Sequence, residues 1–110
     1  MADLDEILYQ LGVYPTQRGY QITNMAVTIG WTEPEKLQMF TKWLYPAVAL
    51  KCGCSNAAVE RNLRATVNRA WDTNPGLVSK IAKRELASSP TAGDFVWMLC
   101  RYLTEKQQGA

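Results

Sequence analysis

Apolar residues recur along this chain at intervals of three and four, the spacing of amphipathic helices. Leu4, Ile7, Leu8 and Leu11 make the first such series, which Asp3 or Asp5 can cap and Gly12 can end. Val13-Tyr14-Pro15 reads as an extended link, because a proline disfavours helix at the residue before it. Thr16 can cap a second helix, roughly 17–31, with Tyr20, Ile22, Met25, Ala26 and Ile29 inward. Its β-branched residues (Ile22, Thr23, Val27, Thr28, Ile29) would also suit a strand, but the helical spacing and the lack of a partner strand favour helix.

Glu33-Pro34-Glu35 looks like a helix start, with carboxylates at the positive end of the helix dipole. Leu37, Phe40, Trp43, Leu44 and Val48 continue at helical spacing until Pro46 interrupts them. A mid-helix proline costs ~3 kcal/mol, so Pro46 either bends this helix or begins a new one, about 46–52. Lys51-Cys52-Gly53-Cys54-Ser55 reads as a tight turn, with Ser55 capping the next helix. Over 55–72, Val59, Leu63, Val67, Ala70 and Trp71 form one apolar stripe, while Ala57, Ala58, Arg61, Asn62, Arg64, Ala65 and Asn68 take the other side. Thr73-Asn74-Pro75-Gly76 is a turn, and a short helix comes after it at about 77–86 with Leu77, Val78, Ile81, Ala82 and Leu86 apolar. After the break at Ser88-Ser89-Pro90, Thr91 and Asp94 fit a capping box opening a last helix, about 92–106. Its stripe is Phe95, Met98, Leu99, Tyr102 and Leu103, and residues 107–110 are expected to fray.

The pattern predicts an all-α bundle of about six helices, with helix, short glycine turn and helix over about 42–72. A chain of 110 residues, 47% hydrophobic and with four tryptophans, suffices for one domain, 1–110, with a core of its own. Trp31, Trp43, Trp71 and Trp97 are expected as core anchors, and Cys100 as a core residue. No apolar run reaches the ~18 residues of a membrane span, and the acidic start lacks the features of a signal peptide, so a cytoplasmic location is expected.

Charge then changes the picture. Residues 1–35 carry one arginine against five carboxylates; residues 36–84 carry nine basic against two acidic residues; residues 85–110 carry two basic against three. A basic middle between acidic ends suits a surface that meets phosphates. A helix with Arg and Asn on its outer face can read a DNA major groove, although an ordinary solvated helix has the same composition. Catalysis finds little support. The chain has no histidine, the usual general base, and no glycine-rich phosphate loop. Three cysteines, two of them as Cys52-x-Cys54, are far from a zinc spacing, and their odd number speaks against a full disulfide framework. Neither an enzyme nor a cofactor is expected.

These residues resemble the C-terminal effector domain of the stage zero sporulation protein A family, the response regulators of endospore formation. The likeness is carried by Ile7 to Val13, Gly19-Tyr20, Lys42-Trp43-Leu44-Tyr45-Pro46, Val59-Glu60-Arg61-x-Leu63-Arg64 continuing to Ala70-Trp71, and Thr91-x-x-Asp94-Phe95. The order and spacing agree from about residue 5 to 105. The resemblance implies a helix-turn-helix with a scaffold helix at about 42–52 and a recognition helix at about 55–72. It implies binding to double-stranded DNA at a short box of TGTCGAA type, often as tandem copies forming a dimer on DNA. Carried over by position, Glu60, Arg61 and Arg64 face the groove, with Asn56, Asn68 and Lys51 as further DNA-binding residues. Arginine can bond guanine O6 and N7, and glutamate can accept from cytosine N4. The plainer role for Glu60 and Arg64 is a helical i, i+4 pair worth ~0.3 kcal/mol.

Two departures from the family qualify that implication. Ala57-Ala58 stands where members commonly carry Ser-Arg, and Ala65 where they commonly carry His. A methyl group can touch thymine but reads no donor or acceptor, and a lost bidentate contact removes ~1–3 kcal/mol of discrimination. The family also places a receiver domain ahead of this one, whereas this sequence starts at Met1, so it is expected to be either an excised domain or a stand-alone protein. The alternative function is a protein-interaction module of the same fold without specific DNA readout.

Overall fold

In the computed structural model, which describes residues 2–108, the chain forms six α-helices and no strand among those residues. Helix α1 (Ala2–Gln10) begins ahead of both acids proposed as its cap, so Asp3 and Asp5 lie in its first turn instead, facing the positive end of the dipole. Gly12 ends it at φ 79°, and Val13 N–H reaches back to Leu8 O at 2.8 Å. Helix α2 (Arg18–Thr32) starts one residue later than Thr16 could cap; Gln17 holds the cap position without a side-chain capping bond, and its Oε1 accepts from Tyr14 N–H at 3.2 Å. The Tyr20 hydroxyl donates to Asp5 and ties α1 to α2.

The region around Pro46 takes the second of its two options. A single 3-10 turn over Pro34–Gln38 leads into a wide π turn over Phe40–Leu44, and α3 (Tyr45–Cys52) begins there with Pro46 in its first turn. Tyr45 N–H bonds Phe40 O, five residues back. Widening the turn ahead of the proline moves its ring off the preceding carbonyl, so the chain runs on without the mid-helix penalty. Gly53 closes α3 at φ 67°, ψ 40°, and Cys54 N–H bonds Ala49 O at 3.0 Å. Ser55 Oγ then accepts from Ala58 N–H at 3.0 Å and starts α4 (Asn56–Thr73). A cap of this kind is worth ~1 kcal/mol.

Helix α5 is shorter than its apolar spacing suggests, spanning Pro75–Ala82. Asn74 Oδ1 caps it by accepting from Leu77 N–H at 3.1 Å, and Lys83 stops it at φ 61°. Leu86 regains the core by folding back, its N–H donating to Ser79 Oγ at 3.2 Å, which imitates helical spacing. Helix α6 (Ala92–Gln108) opens as expected, with Asp94 N–H donating to Thr91 Oγ1 at 3.1 Å. Residues 107 and 108 are helical rather than frayed; the rest of that expectation, at 109 and 110, lies outside the described residues.

Helix α2 is central and packs on α3, α4 and α6. Leu4, Leu8, Leu11, Ile22, Leu44, Leu63, Ile81, Phe95 and Leu99 are fully buried, and Cys100 is buried with its thiol against Val27 O. Of the four tryptophans expected as core anchors, Trp31 and Trp71 pack against the core from its edge, and Trp43 and Trp97 do not. Trp43 and Trp97 are 39% and 45% exposed, and Trp31 and Trp71 are half-buried. An indole N–H needs a partner, which favours the rim: Trp31 Nε1 donates to Thr104 Oγ1 at 3.0 Å, while Trp97 carries the Arg101 guanidinium over its ring at 4.7 Å.

Candidate nucleic-acid interface

The interface is built on α4, the second helix of the α3–Gly53–α4 unit. Val59, Leu63, Thr66, Val67 and Ala70 are buried and fix which side of α4 faces inward. At about 100° per residue, the opposite side is then formed by Ala57, Arg61, Arg64, Ala65 and Asn68, and all five are exposed. Thr66 is a buried position that the apolar pattern missed; its hydroxyl donates to Asn62 O at 2.9 Å, which lets a polar residue join the core side.

Each predicted DNA-binding residue can now be placed. Arg61 is exposed, with no side-chain hydrogen bond or ion pair among the described residues. Arg64 is exposed and ion-paired with Glu60 one turn earlier, with side-chain exposures of 62% and 46%. A pair this wet contributes only ~0.3–0.5 kcal/mol to stability, so both partners remain available to other ligands. Asn56 is exposed in the first turn, Asn68 about three turns further on, one turn after Arg64, and Lys51 at the end of α3. Glu60, Arg61, Arg64 and Asn68 therefore share a continuous stretch of α4, while Lys51 and Asn56 flank the turn before it. Asn62, which the pattern put on the polar side, is half-buried and spends its amide on Ala58 O at 2.8 Å.

Tyr45 supports the pair from below. It is buried, and its hydroxyl pKa is raised by burial and by the Glu60 charge, against a lowering effect of Arg64. It lines a groove with Glu60, Arg64, Asn68 and the segment Ser89 to Gly93 that leads into α6.

Two contributors escaped the sequence. Arg18, at the start of α2, donates from Nη2 to Cys52 O at 2.8 Å and from Nη1 to Gln21 Oε1 at 2.9 Å. It holds the last turn of α3, where a cation is favoured by the dipole. Its partner lies 34 residues away, so no local spacing announces it. Arg69 lines a second cleft, on the other flank of α4, with Gln17, Gly19, Asn62 and Ala65. The excess of basic residues over 36–84 was the available signal for it. Among the described residues no three Cys, Asp or Glu side chains come together as a metal site would require.

A short helix packed on the core through Tyr45, Val48 and Ala49, a three-residue turn with a left-handed glycine, and a longer helix showing Arg and Asn outward define a helix-turn-helix domain, the class that inserts its second helix in a DNA groove. The family model described as "Sporulation initiation factor Spo0A C terminal" matches residues 4–103. The chain belongs to this family, a DNA-binding domain of sporulation transcription regulation rather than an enzyme family. No helix among the described residues is long and apolar enough to cross a membrane.

Proposed function

We propose that this domain acts by binding, not catalysis, and reads double-stranded DNA with α4 in the major groove, regulating transcription in the cytoplasm. The observation that carries this reading is the exposed sector of α4, where Arg61 stands unpaired beside the Glu60–Arg64 pair. Arg61 and Arg64 take guanine edges and Glu60 takes a cytosine amino group. Asn68 reaches the same groove, and Asn56 and Lys51 meet phosphates beside the turn. Residues 1–110 serve as one unit, and two copies bind tandem sites.

The test is a titration with duplexes containing GTCGAA and with random duplexes, at two salt concentrations. Affinity should fall with log salt by a slope of about 0.9 for each phosphate neutralised. Arg61→Ala should cost ~1–3 kcal/mol on the specific duplex, whereas Lys51→Ala should weaken all duplexes alike and lower the slope by about 1. Exposed Ala57 and Ala65 favour a second reading, in which the same face packs on a protein partner without base readout. Absence of binding to either duplex at low salt selects that second reading.

A further inference from the structure

The turn between α3 and α4 holds thiol chemistry that the DNA-reading role does not use: Cys52 and Cys54, both free, half-buried and separated only by Gly53. Gly53 lies at φ 67°, ψ 40°, the mirror image of helical torsions. Such a residue sets the flanking Cα atoms about 5.5 Å apart, a spacing that disulfides commonly bridge. An extended residue there would hold them further apart. The left-handed glycine that ends α3 thus also sets the Cα atoms of two cysteines at a separation that a disulfide can span.

We propose that Cys52 and Cys54 form a dithiol modification site that peroxides oxidise to an internal disulfide, and that the bridge re-sets the turn between α3 and α4. A Cys54 thiolate attacks the peroxide O–O bond, giving a sulfenic acid and hydroxide. The Cys52 thiol attacks that sulfur; the S–S bond forms, the S–O bond breaks, and water leaves. Two thiols lose two electrons and two protons, and hydrogen peroxide becomes two waters. Burial pushes the Cys52 thiol up, with the nearby Cys54 adding to this and Arg18 opposing it, which suits Cys52 to the resolving role. Cys100 is excluded from the chemistry: it is buried, and its thiol is pushed up to about 12.

The turn is sensitive to this change because its contacts flank both sulfurs. Arg18 Nη2 holds Cys52 O at 2.8 Å, Cys54 N–H holds Ala49 O at 3.0 Å, and Ser55 Oγ caps Ala58 N–H at 3.0 Å. Both side chains also pack on the core. Bridging draws the sulfurs off that packing and toward each other, and α4 loses its fixed entry.

The experiment treats the full chain with hydrogen peroxide. The three free thiols should fall to one, with a mass loss of two hydrogens in monomeric protein, reversed by dithiothreitol. Amide hydrogen exchange at Cys54 and Ala58 should quicken on oxidation. Cys52→Ser and Cys54→Ser should form no internal bridge and keep slow exchange at Ala58. An unchanged thiol count, a bridge between two copies, or a bridge with unaltered exchange overturns the proposal. Loss of DNA affinity by about tenfold on oxidation is the further consequence if the DNA-reading function holds. A reduced protein that binds no duplex refutes that function, while the thiol count and exchange still decide the bridge.

Discussion

Replacing Gly53 with alanine isolates what the turn demands of its backbone. Gly53 sits at φ 67°, and a Cβ built there meets nothing within 4 Å. The penalty is therefore torsional alone, ~1–2 kcal/mol for an L-residue in the left-handed region. Alanine also narrows the unfolded ensemble, which offsets ~0.4–1 kcal/mol. The expected net loss is ~1 kcal/mol, or a fall in Tm of about 5 °C for a domain of this size. Gly53→Asn should lose less, since asparagine tolerates this conformation better. Gly12 provides the contrast. It lies at φ 79°, and a Cβ there would stand 2.7 Å from Thr73 Oγ1 and 3.2 Å from Thr73 Cγ2. Gly12→Ala bears the same torsional cost plus displacement of a β-branched side chain, so it should be the most destabilising of the three. Urea unfolding followed by far-UV circular dichroism gives the ranking, with m unchanged if only the native state is affected. A Gly53→Ala protein as stable as the parent, or one less stable than Gly12→Ala, would refute the reasoning.

Two further perturbations fall on α2. The Thr23 side chain is fully buried and its Oγ1 has no hydrogen-bond partner, so Thr23→Val should raise stability by ~1 kcal/mol; a lower urea midpoint would show that the hydroxyl is satisfied in solution. Tyr20 donates to Asp5, and that bond, with burial and the Asp5 charge, raises its pKa above the ordinary 10.0, Asn24 opposing. A raised folded-state pKa means the stabilisation is complete below pH 10.0 and is lost as pH climbs through the folded value. Unfolding midpoints compared at about pH 9 and about pH 11 should fall less for Tyr20→Phe than for the parent, and an equal fall would contradict the Asp5 linkage.

The legibility of the fold in the sequence tracks the range of the interactions involved. The stripe Val59-Leu63-Val67-Ala70 is set by helical periodicity alone, and the same residues form the buried side of α4. That orientation exposes Arg61, Arg64 and Asn68, so the candidate site was readable wherever it depends on one helix. The failures need a partner from elsewhere. Leu86 copies helical spacing while being returned by a bond to Ser79, and Lys83 stops α5 in a conformation its residue type does not advertise. Trp43 and Trp97 have the size of core residues, but core volume is filled by Phe95 and the leucines, which carry no donor to satisfy. Arg18 reads locally as a stray cation in an acidic segment, and only folding sets it on Cys52 O.

The composition of the α4 face separates affinity from selectivity on the proposed reading. Affinity for duplex DNA depends mostly on cations near phosphates, and the chain offers exposed ones besides Arg61 and Arg64: Lys51 at the end of α3 and Arg69 on α4. Selectivity depends on donors and acceptors aimed at base edges, and there two exposed positions, Ala57 and Ala65, offer only methyl groups. Arg64 is further constrained, because its guanidinium already bonds Glu60. That tether limits the rotamers it must give up on docking, so Arg64 loses less entropy than a free arginine would. It also couples two base contacts that would otherwise be independent. Arg61 is then the reader with the most freedom and the fewest neighbours to replace it. The ratio of specific to random binding should therefore respond more to Arg61→Ala than to Arg64→Ala, while the salt slope responds to both alike. The reverse order would place the Glu60–Arg64 pair, and not Arg61, at the centre of base readout.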